Sequence, residues 1–564
     1  MKVIIIGGVA GGASAAARLR RLNEKAEIII FERGEYISYA NCGLPYYIGG
    51  EITDKKALTL QTPESFKARF NIDVRTLCNV KSINREAKTV TVEDLKNGGT
   101  FEESYDKLIL SPGAEPVRPP LEGIDDERIF TLRNIPDTYK IREYIEEYEP
   151  TSAVVVGGGY IGVEMAENLQ RAGLAVSVIE MTDHLIAPLD YDMACDVHRY
   201  AASKGIDVLL KTRVEGFEDT GSCLVVNTDK GPLVADMVIM SVGVRPDSHL
   251  AKDAGLSVTA KGAIITDEHM RTSDENIYAV GDACVIKNFV TGEEGYIPLA
   301  GPANKQGRIA ADNICGIESG YKGTQGSAVL KLFDMSVATT GLNETAAKNA
   351  GIDYEKLYVF SANHATYYPG ATNMCIKLLY EKSTEKILGC QIVGFDGVDK
   401  RCDVIATAMR GGLKVTDLED LELCYAPPFS SAKDPVNMLG FMAGNIISGM
   451  VKQYHWHDVE YLPRDGSVTL LDVRKDEEVA KGRIEGTIHI PVDELRDRMG
   501  ELDSSKPIFV NCQSGLRSYI ACRMLAQNGF NCYNLAGGYR LYDSVTNDPV
   551  FDSTPKHPCG IDIL

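Results

Sequence analysis

The sequence predicts an α/β chain with two Rossmann-like dinucleotide-binding domains, because a strand, a glycine-rich turn and a helix occur twice, each followed by a strand that ends in a glutamate. A further observation extends the architecture. From about residue 326 the chain turns to strands and helices without nucleotide motifs, and a last stretch of about 100 residues runs a strand straight into a cysteine-containing loop. The length of 564 residues accommodates about three to five domains, each with its own core.

The composition, 44% hydrophobic and 24% charged, is that of a globular protein. A formal net charge of -20 argues against nonspecific nucleic-acid or anionic-membrane partners, while leaving room for a local basic pocket. No apolar run reaches transmembrane length and the start shows no signal-peptide pattern, so a cytoplasmic location is expected. Fourteen cysteines without a Cys-x-x-Cys pair fit neither a zinc site nor a disulfide scaffold; no metal is expected and most thiols should be free.

Residues 2–6 are a continuous apolar strand. Gly7, Gly8, Val9, Ala10, Gly11 and Gly12 then make a tight turn into a helix of small residues, which sets a helix N-terminus under a pyrophosphate. Val9 stands where G-x-G-x-x-G has its second glycine. The next strand, 27–31, restores the pattern by ending in Glu32, followed by Arg33, at the spacing that binds a ribose diol.

The stretch Ser38-Tyr39-Ala40-Asn41-Cys42-Gly43-Leu44-Pro45 opens a new segment, with Cys42 placed where a helix N-terminus would stabilise a thiolate. Cys42 is the candidate redox nucleophile. A dithiol disulfide reductase would place a second cysteine at position 47, but that residue is Tyr47, so Cys42 works without a neighbouring resolving thiol.

The second nucleotide copy, with Gly157, Gly158, Gly159, Tyr160, Ile161 and Gly162, follows the pattern without departure, and its following strand ends in Glu180. Glu180 accepts hydrogen bonds from a free 2′-hydroxyl and repels a 2′-phosphate, and Met181 and Thr182 supply no arginine; NADH is expected rather than NADPH. Strand-then-glycine segments at 105–113 and 236–246, the second containing Gly243, read as crossovers between the nucleotide domains. Residues 276–282 are a buried strand that delivers Gly281 and Asp282 to a turn. In flavoproteins with two dinucleotide domains this is the second flavin signature, so the first nucleotide is expected to be FAD.

Beyond residue 326 two aromatic loops stand out, 364–370 with Tyr367 and 423–430 with Tyr425; read alone, such tyrosines are packing residues. Residues 450–461 read as a polar connection. The last segment reaches Cys512-Gln513-Ser514-Gly515-Leu516-Arg517-Ser518 from a strand and continues into a helix. A short loop at a helix N-terminus points successive N–H groups at one sulfur, which stabilises a thiolate or persulfide without a metal. With Gly515 and Arg517 around it, Cys512 is a second sulfur centre.

In this order the motifs carry a resemblance. Residues 1–445 resemble coenzyme A disulfide reductases, the single-cysteine branch of the glutathione-reductase-like pyridine nucleotide-disulfide oxidoreductases. Residues from about 456 to the end resemble a rhodanese domain through Leu471-Asp472-Val473-Arg474, the Cys512 loop and Asn534-Leu535-Ala536-Gly537-Gly538-Tyr539. The whole is similar to coenzyme A disulfide reductase–rhodanese fusions, also described as NADH-dependent persulfide or polysulfide reductases.

The resemblance implies an FAD-binding domain in two parts, 1–112 and 244–325, around an NADH-binding domain at 113–243. It further implies an α+β dimerisation domain at 326–449, a linker at 450–461 and an α/β rhodanese domain at 462–564. FAD would be bound at Gly7, Val9, Ala10, Gly11, Gly12, Glu32, Arg33, Gly281 and Asp282, and NADH at Gly157, Gly159, Tyr160, Ile161, Gly162, Glu180 and Gly243. Coenzyme A would be bound at Ser14, Arg18, Arg21, Ser38, Asn41, Asn304, Arg308 and Lys433. Read from the residues alone, Arg18 and Arg21 are a solvated helix face of favourable charge sign. Tyr367 and Tyr425 would reach from a partner subunit toward Cys42, which implies a homodimer with shared active sites.

Single-cysteine NADH oxidases and peroxidases, on the same fold, carry a histidine where this chain has Ala10. Losing an acid/base group worth about 10²- to 10⁴-fold makes peroxide reduction a poor main activity. The implied activity is NADH-driven reduction of persulfide, polysulfide or coenzyme A disulfide with release of hydrogen sulfide, through Cys42 and Cys512. The alternatives are an NADH oxidase, and a rhodanese-type sulfur transferase that the reductase domains serve.

Overall fold

The computed structural model describes residues 1–548 and divides into two compact units: Met1–Met181 with Thr212–Gly326, and Thr182–Lys211 with the described part of Ser327–Leu564. In the first unit the apolar run Lys2–Ile6 is the centre of a five-stranded sheet. The strand order is Ile277–Ala279, Lys107–Leu110, Lys2–Ile6, Glu27–Phe31, Asp73–Arg75, every pair parallel. Val3, Ile4 and Ile5 are fully buried, which is why this run is continuously apolar rather than alternating.

The helix Ala10–Leu22 covers the sheet with Ala13, Ala15, Ala16 and Leu19. Its glycines admit a second helix, Ala300–Ile314, at close range. A Cβ on Gly307 would stand 2.3 Å from the Gly11 carbonyl oxygen, inside any allowed contact.

A second sheet repeats the design, with Ala175–Ile179, Ser152–Val156, Met237–Met240 and Ile129–Phe130 side by side and parallel, and the helix Tyr160–Arg171 behind its glycine turn. The segments expected as crossovers begin as the core strands Lys107–Leu110 and Met237–Met240. Directly after them Ala114–Pro116 and Val244–Pro246 pair antiparallel, carrying the chain out of the first sheet and back toward it.

The second unit holds an antiparallel sheet in the order Ala328–Leu332, Met335–Gly341, Ile387–Gly394, Asn373–Glu381, Tyr354–Ala362. A parallel sheet follows, ordered Gln453–Tyr454, Cys532–Leu535, Ile508–Asn511, Thr469–Asp472, Ile488–His489. The fully buried Lys377 on the first of these sheets places Nζ 2.9, 2.8 and 2.6 Å from Asp190, Asp192 and Glu344. Its ammonium bonds all three carboxylates; Lys356 supplies a second cation 2.8 Å from Glu344, and the Gln391 amide and the Tyr358 hydroxyl donate to Asp190 and Asp192, so the buried acids are held by hydrogen bonds as well as by charge.

Residues 450–461, expected as a polar connection, are part of the fold instead. Gln453–Tyr454 is an edge strand paired with Asn534 and Leu535, and Trp456–Tyr461 is a 3₁₀ helix. The reason is its spaced apolar residues, Val451, Tyr454 and Val459, all buried, together with the Trp456 indole N–H donating to Asp192. Among the described residues no helix is long and apolar enough to cross a membrane.

Candidate active site

The first glycine turn fits a dinucleotide. Gly7 has φ 99°, and a Cβ there would lie 2.1 Å from the Ser111 carbonyl oxygen; Gly12 packs equally tightly on the Gly7 oxygen. Val9, the departure from the glycine pattern, caps the helix at φ -100°, outside the left-handed region that would call for a glycine. Glu32 accepts from the Gly8 N–H through one carboxylate oxygen and from the Gly34 N–H through the other, both at 2.9 Å. This fixes the carboxylate at the strand end with lone pairs left for a ribose diol.

Arg33 is engaged by Asp247 at 2.8 Å. Gly281 donates its N–H to Gln306, and Asp282 is half-buried with no side-chain partner among the described residues, free to accept from a polyol. Burial pushes the Asp282 carboxyl up, against the lowering effect of Arg133. The second turn is built alike: Glu180 accepts from the Gly158 N–H at 2.8 Å, and a Cβ on Gly159 would point into open space. Both sites thus fit the groups expected of them.

Cys42 lies in the 3₁₀ turn Asn41–Gly43, ahead of the short helix Leu44–Ile48. The expected stabilised thiolate is not what this environment gives. Desolvation, then the carboxylates Glu164 and Asp282, push the Cys42 thiol above its ordinary range although the residue reaches the surface. Glu164, on the second nucleotide helix, accepts from the Tyr46 hydroxyl at 3.2 Å and is raised to about 7, chiefly by burial. Tyr47, where a second thiol would sit, is buried.

A cleft of about 370 Å³ opens at Ser38, four residues before Cys42 in the chain. Ser14, Arg18, Arg21, Ser38, Asn304 and Arg308 line it, six of the eight residues expected at coenzyme A. Asn41 adjoins Cys42 instead, and Lys433 is an exposed residue of the second unit. The Arg18 guanidinium is paired with Asp312 at 2.7 Å, and the Ser14 hydroxyl donates to Asn304. Ser38 takes the left-handed conformation, φ 44°, and its N–H donates to the Gly8 carbonyl, which ties the cleft to the first glycine turn.

Sequence reasoning missed Arg69, Phe66 and Phe70 of the same cleft. The signal was present: two aromatics at helical spacing beside an arginine, on the helix Pro63–Phe70 with its capping box of Thr62 and Ser65. It also missed Glu164, an acid inside a nucleotide helix, and Glu478 below.

In the second unit the hydroxyls of Tyr367 and Tyr425 meet at 3.0 Å, and both residues are exposed. Their loops are held from beneath by the buried Arg401, which donates to the Asn363 carbonyl, Ser430 and Asp434. Cys512 is fully buried, and its Sγ accepts from the Gly515 N–H and the Ser518 hydroxyl, each at 3.1 Å. Gly515 makes this possible with φ 98° at the helix start. Arg517, expected around the sulfur, instead makes a two-bond fork to Glu478 at 2.7 and 2.6 Å. Gln513, Ser514 and Leu516 complete the loop, with Leu516 exposed.

A family profile described as pyridine nucleotide-disulphide oxidoreductase matches residues 1–307, its dimerisation domain matches 327–435, and a rhodanese-like domain matches 456–544. Coenzyme A disulfide reductase of Staphylococcus aureus is 36% identical over 443 residues, covering 78% of this chain and 99% of the relative. The crystal structure of reduced Bacillus anthracis CoADR-RHD superposes with a TM-score of 0.95 at 50% identity, covering 97% of this chain and 98% of that one. A NAD-dependent persulfide reductase from A. fulgidus gives 0.90 at 39% identity, over 96% and 100%. Its two glycine turns, lone thiol and cysteine loop therefore stand in known company: the chain belongs to the pyridine nucleotide-disulphide oxidoreductase family and carries a rhodanese-like domain.

Proposed function

We propose that the chain is an FAD-dependent reductase that uses NADH to cleave sulfur–sulfur bonds in coenzyme A disulfide, coenzyme A persulfide and polysulfide, releasing hydrogen sulfide from the last two. One observation carries the reading: a single basic cleft gathers Ser14, Arg18, Arg21, Ser38, Asn304 and Arg308, and its Ser38 wall is four residues from the lone Cys42. Arg21, Arg69 and Arg308 have no acidic partner among the described residues and match the phosphates of an anionic carrier. Phe66 and Phe70 offer aromatic surface to its base.

FAD, held at Gly7, Val9, Ala10, Gly11, Gly12, Glu32, Arg33, Gly281 and Asp282, supplies the two-electron link between NADH and Cys42. NADH lies at Gly157, Gly159, Tyr160, Ile161, Gly162, Glu180 and Gly243. Reduced Cys42 attacks a substrate sulfur; its new S–S bond forms as the old one breaks, and the released thiolate or hydrosulfide takes a proton. With Tyr47 in the second position, the stored oxidised state is the mixed disulfide of Cys42 with coenzyme A. Asn41, next to Cys42 in the chain, adds a contact to the carrier.

Cys512 accepts sulfane sulfur, and its N–H and O–H donors stabilise the persulfide anion. A cytoplasmic homodimer in which Tyr367 and Tyr425 of a second copy complete the Cys42 site fits the exposure of both tyrosines. The test is anaerobic turnover with coenzyme A persulfide, coenzyme A disulfide and hydrogen peroxide as separate acceptors. NADH loss with the first two, and sulfide from the first, is expected; NADH loss with peroxide alone would overturn the reading in favour of an oxidase.

A further inference from the structure

The cation inside the rhodanese-like loop is already matched. Both terminal nitrogens of Arg517 are bonded to the Glu478 carboxylate, whose Oε2 also accepts from the Lys475 N–H at 3.0 Å. Arg474, whose Nη1 lies 3.5 Å from the Gln513 side-chain oxygen of the same loop, is equally committed. It bonds Asp472 through Nε and Nη2, donates to the Gly482 carbonyl at 2.8 Å, and lies over the Tyr539 ring. The donors that do reach Cys512 Sγ, the Gly515 N–H and the Ser518 hydroxyl, are neutral. The loop therefore supports one negative charge on sulfur by dipoles and keeps its guanidinium for a carboxylate.

Sulfane donors differ in what they leave behind. When the Cys512 thiolate attacks the outer sulfur of a thiol persulfide, a Cys512 S–S bond forms, the donor's S–S bond breaks, and the donor departs as a monoanionic thiolate that takes a proton. With thiosulfate the same exchange expels sulfite, a dianion. Neither step changes the overall oxidation level, but the second needs a cation where the leaving group separates. We propose that Glu478, by neutralising Arg517, sets donor specificity at Cys512: the loop takes sulfur from thiol persulfides and discriminates against thiosulfate. The proposal rests on the reading of Cys512 as the sulfur-carrying thiol. Glu478 is a positioning residue here, acting through Arg517.

The experiment measures thiocyanate formation by the full-length protein with cyanide as acceptor and either glutathione persulfide or thiosulfate as donor. The parent should favour the persulfide in kcat/KM by about a hundredfold, the scale of two charge-assisted contacts. Glu478→Gln should raise the thiosulfate value by about tenfold, with a gain that shrinks as salt screens the freed guanidinium. Glu478→Asp, which keeps the carboxylate, should retain the parental preference and separates charge from any loss of the local helix cap. Equal use of both donors by the parent, or an unchanged donor ratio in Glu478→Gln, overturns the proposal alone. Transfer from neither donor by the parent overturns the sulfur-carrier reading, and the proposal with it.

Discussion

The two sulfur centres solve opposite problems. Cys42 is reachable from solvent, receives no hydrogen bond to Sγ among the described residues, and has its thiol raised by desolvation and by Glu164 and Asp282. Cys512 is sealed from solvent, and its Sγ is met by two donors before any substrate arrives. A thiol that trades electrons must alternate between bonded and free sulfur, so a permanent cradle would favour one state. A thiol that carries an anionic sulfur atom benefits from a cradle in every state.

The largest expected effect separates the two directly. Cys42→Ser should abolish NADH oxidation by coenzyme A disulfide, a loss of at least about 10³-fold, with bound flavin absorbance retained, while Cys512→Ser keeps disulfide reduction near the parent rate. Similar losses in both variants on the disulfide would erase the distinction. Next, Ser518→Ala removes one of two donors to the buried sulfur and should slow sulfur transfer about 10- to 100-fold, with Cys42 chemistry untouched. Steady-state transfer to cyanide alongside NADH oxidation measures both sides.

A smaller change tests the carrier cleft. Arg69→Ala should raise KM for coenzyme A substrates about tenfold without a matching change for a small persulfide that lacks phosphates. A parallel rise for both substrates would place Arg69 in the fold rather than in the site.

The smallest effects concern Glu164. Its carboxyl keeps a proton up to about pH 7 in the folded protein, whereas the unfolded chain releases it nearer the ordinary glutamate value. The folded state thus binds more protons between these limits, so this group's contribution to stability falls as pH rises through them and levels off above 7. Glu164→Gln should therefore gain up to about 3 kcal/mol relative to the parent on going from pH 4 to pH 8, read from denaturant midpoints. The same variant removes a negative charge beside Cys42, lowers the thiol and should speed alkylation of Cys42 at pH 8 a few-fold; slower alkylation would reverse the electrostatic assignment.

Much of the fold was legible because its signals are local. The glycine turns, the apolar run 2–6 and the acids Glu32 and Glu180 sit within a few residues of the elements they define. Even Val9, an apparent flaw, has a negative φ and so does not need to be glycine, which sequence alone does not report. The site was less legible because its decisive pairings are distant. Arg18 and Arg21 look alike on one helix, yet Arg18 is claimed by Asp312, 294 residues away, and Arg21 is not. Arg517 reads as a cation for the sulfur until Glu478, 39 residues upstream, is seen to hold it. Cys42 at a helix start reads as an activated thiol until the carboxylates that face it are placed. Residues 450–461 misled through their polar character, since three spaced apolar side chains were enough to bury the segment.

The most direct test of the division of labour is to expose the Cys42→Ser protein anaerobically to coenzyme A persulfide and NADH, then to read cysteine persulfidation by peptide mass spectrometry together with sulfide release. The account predicts that Cys512 gains a sulfur atom, which stays there, and that sulfide release falls to the uncatalysed rate. Sulfide release at the parent rate, or a Cys512 that gains no sulfur, would contradict it.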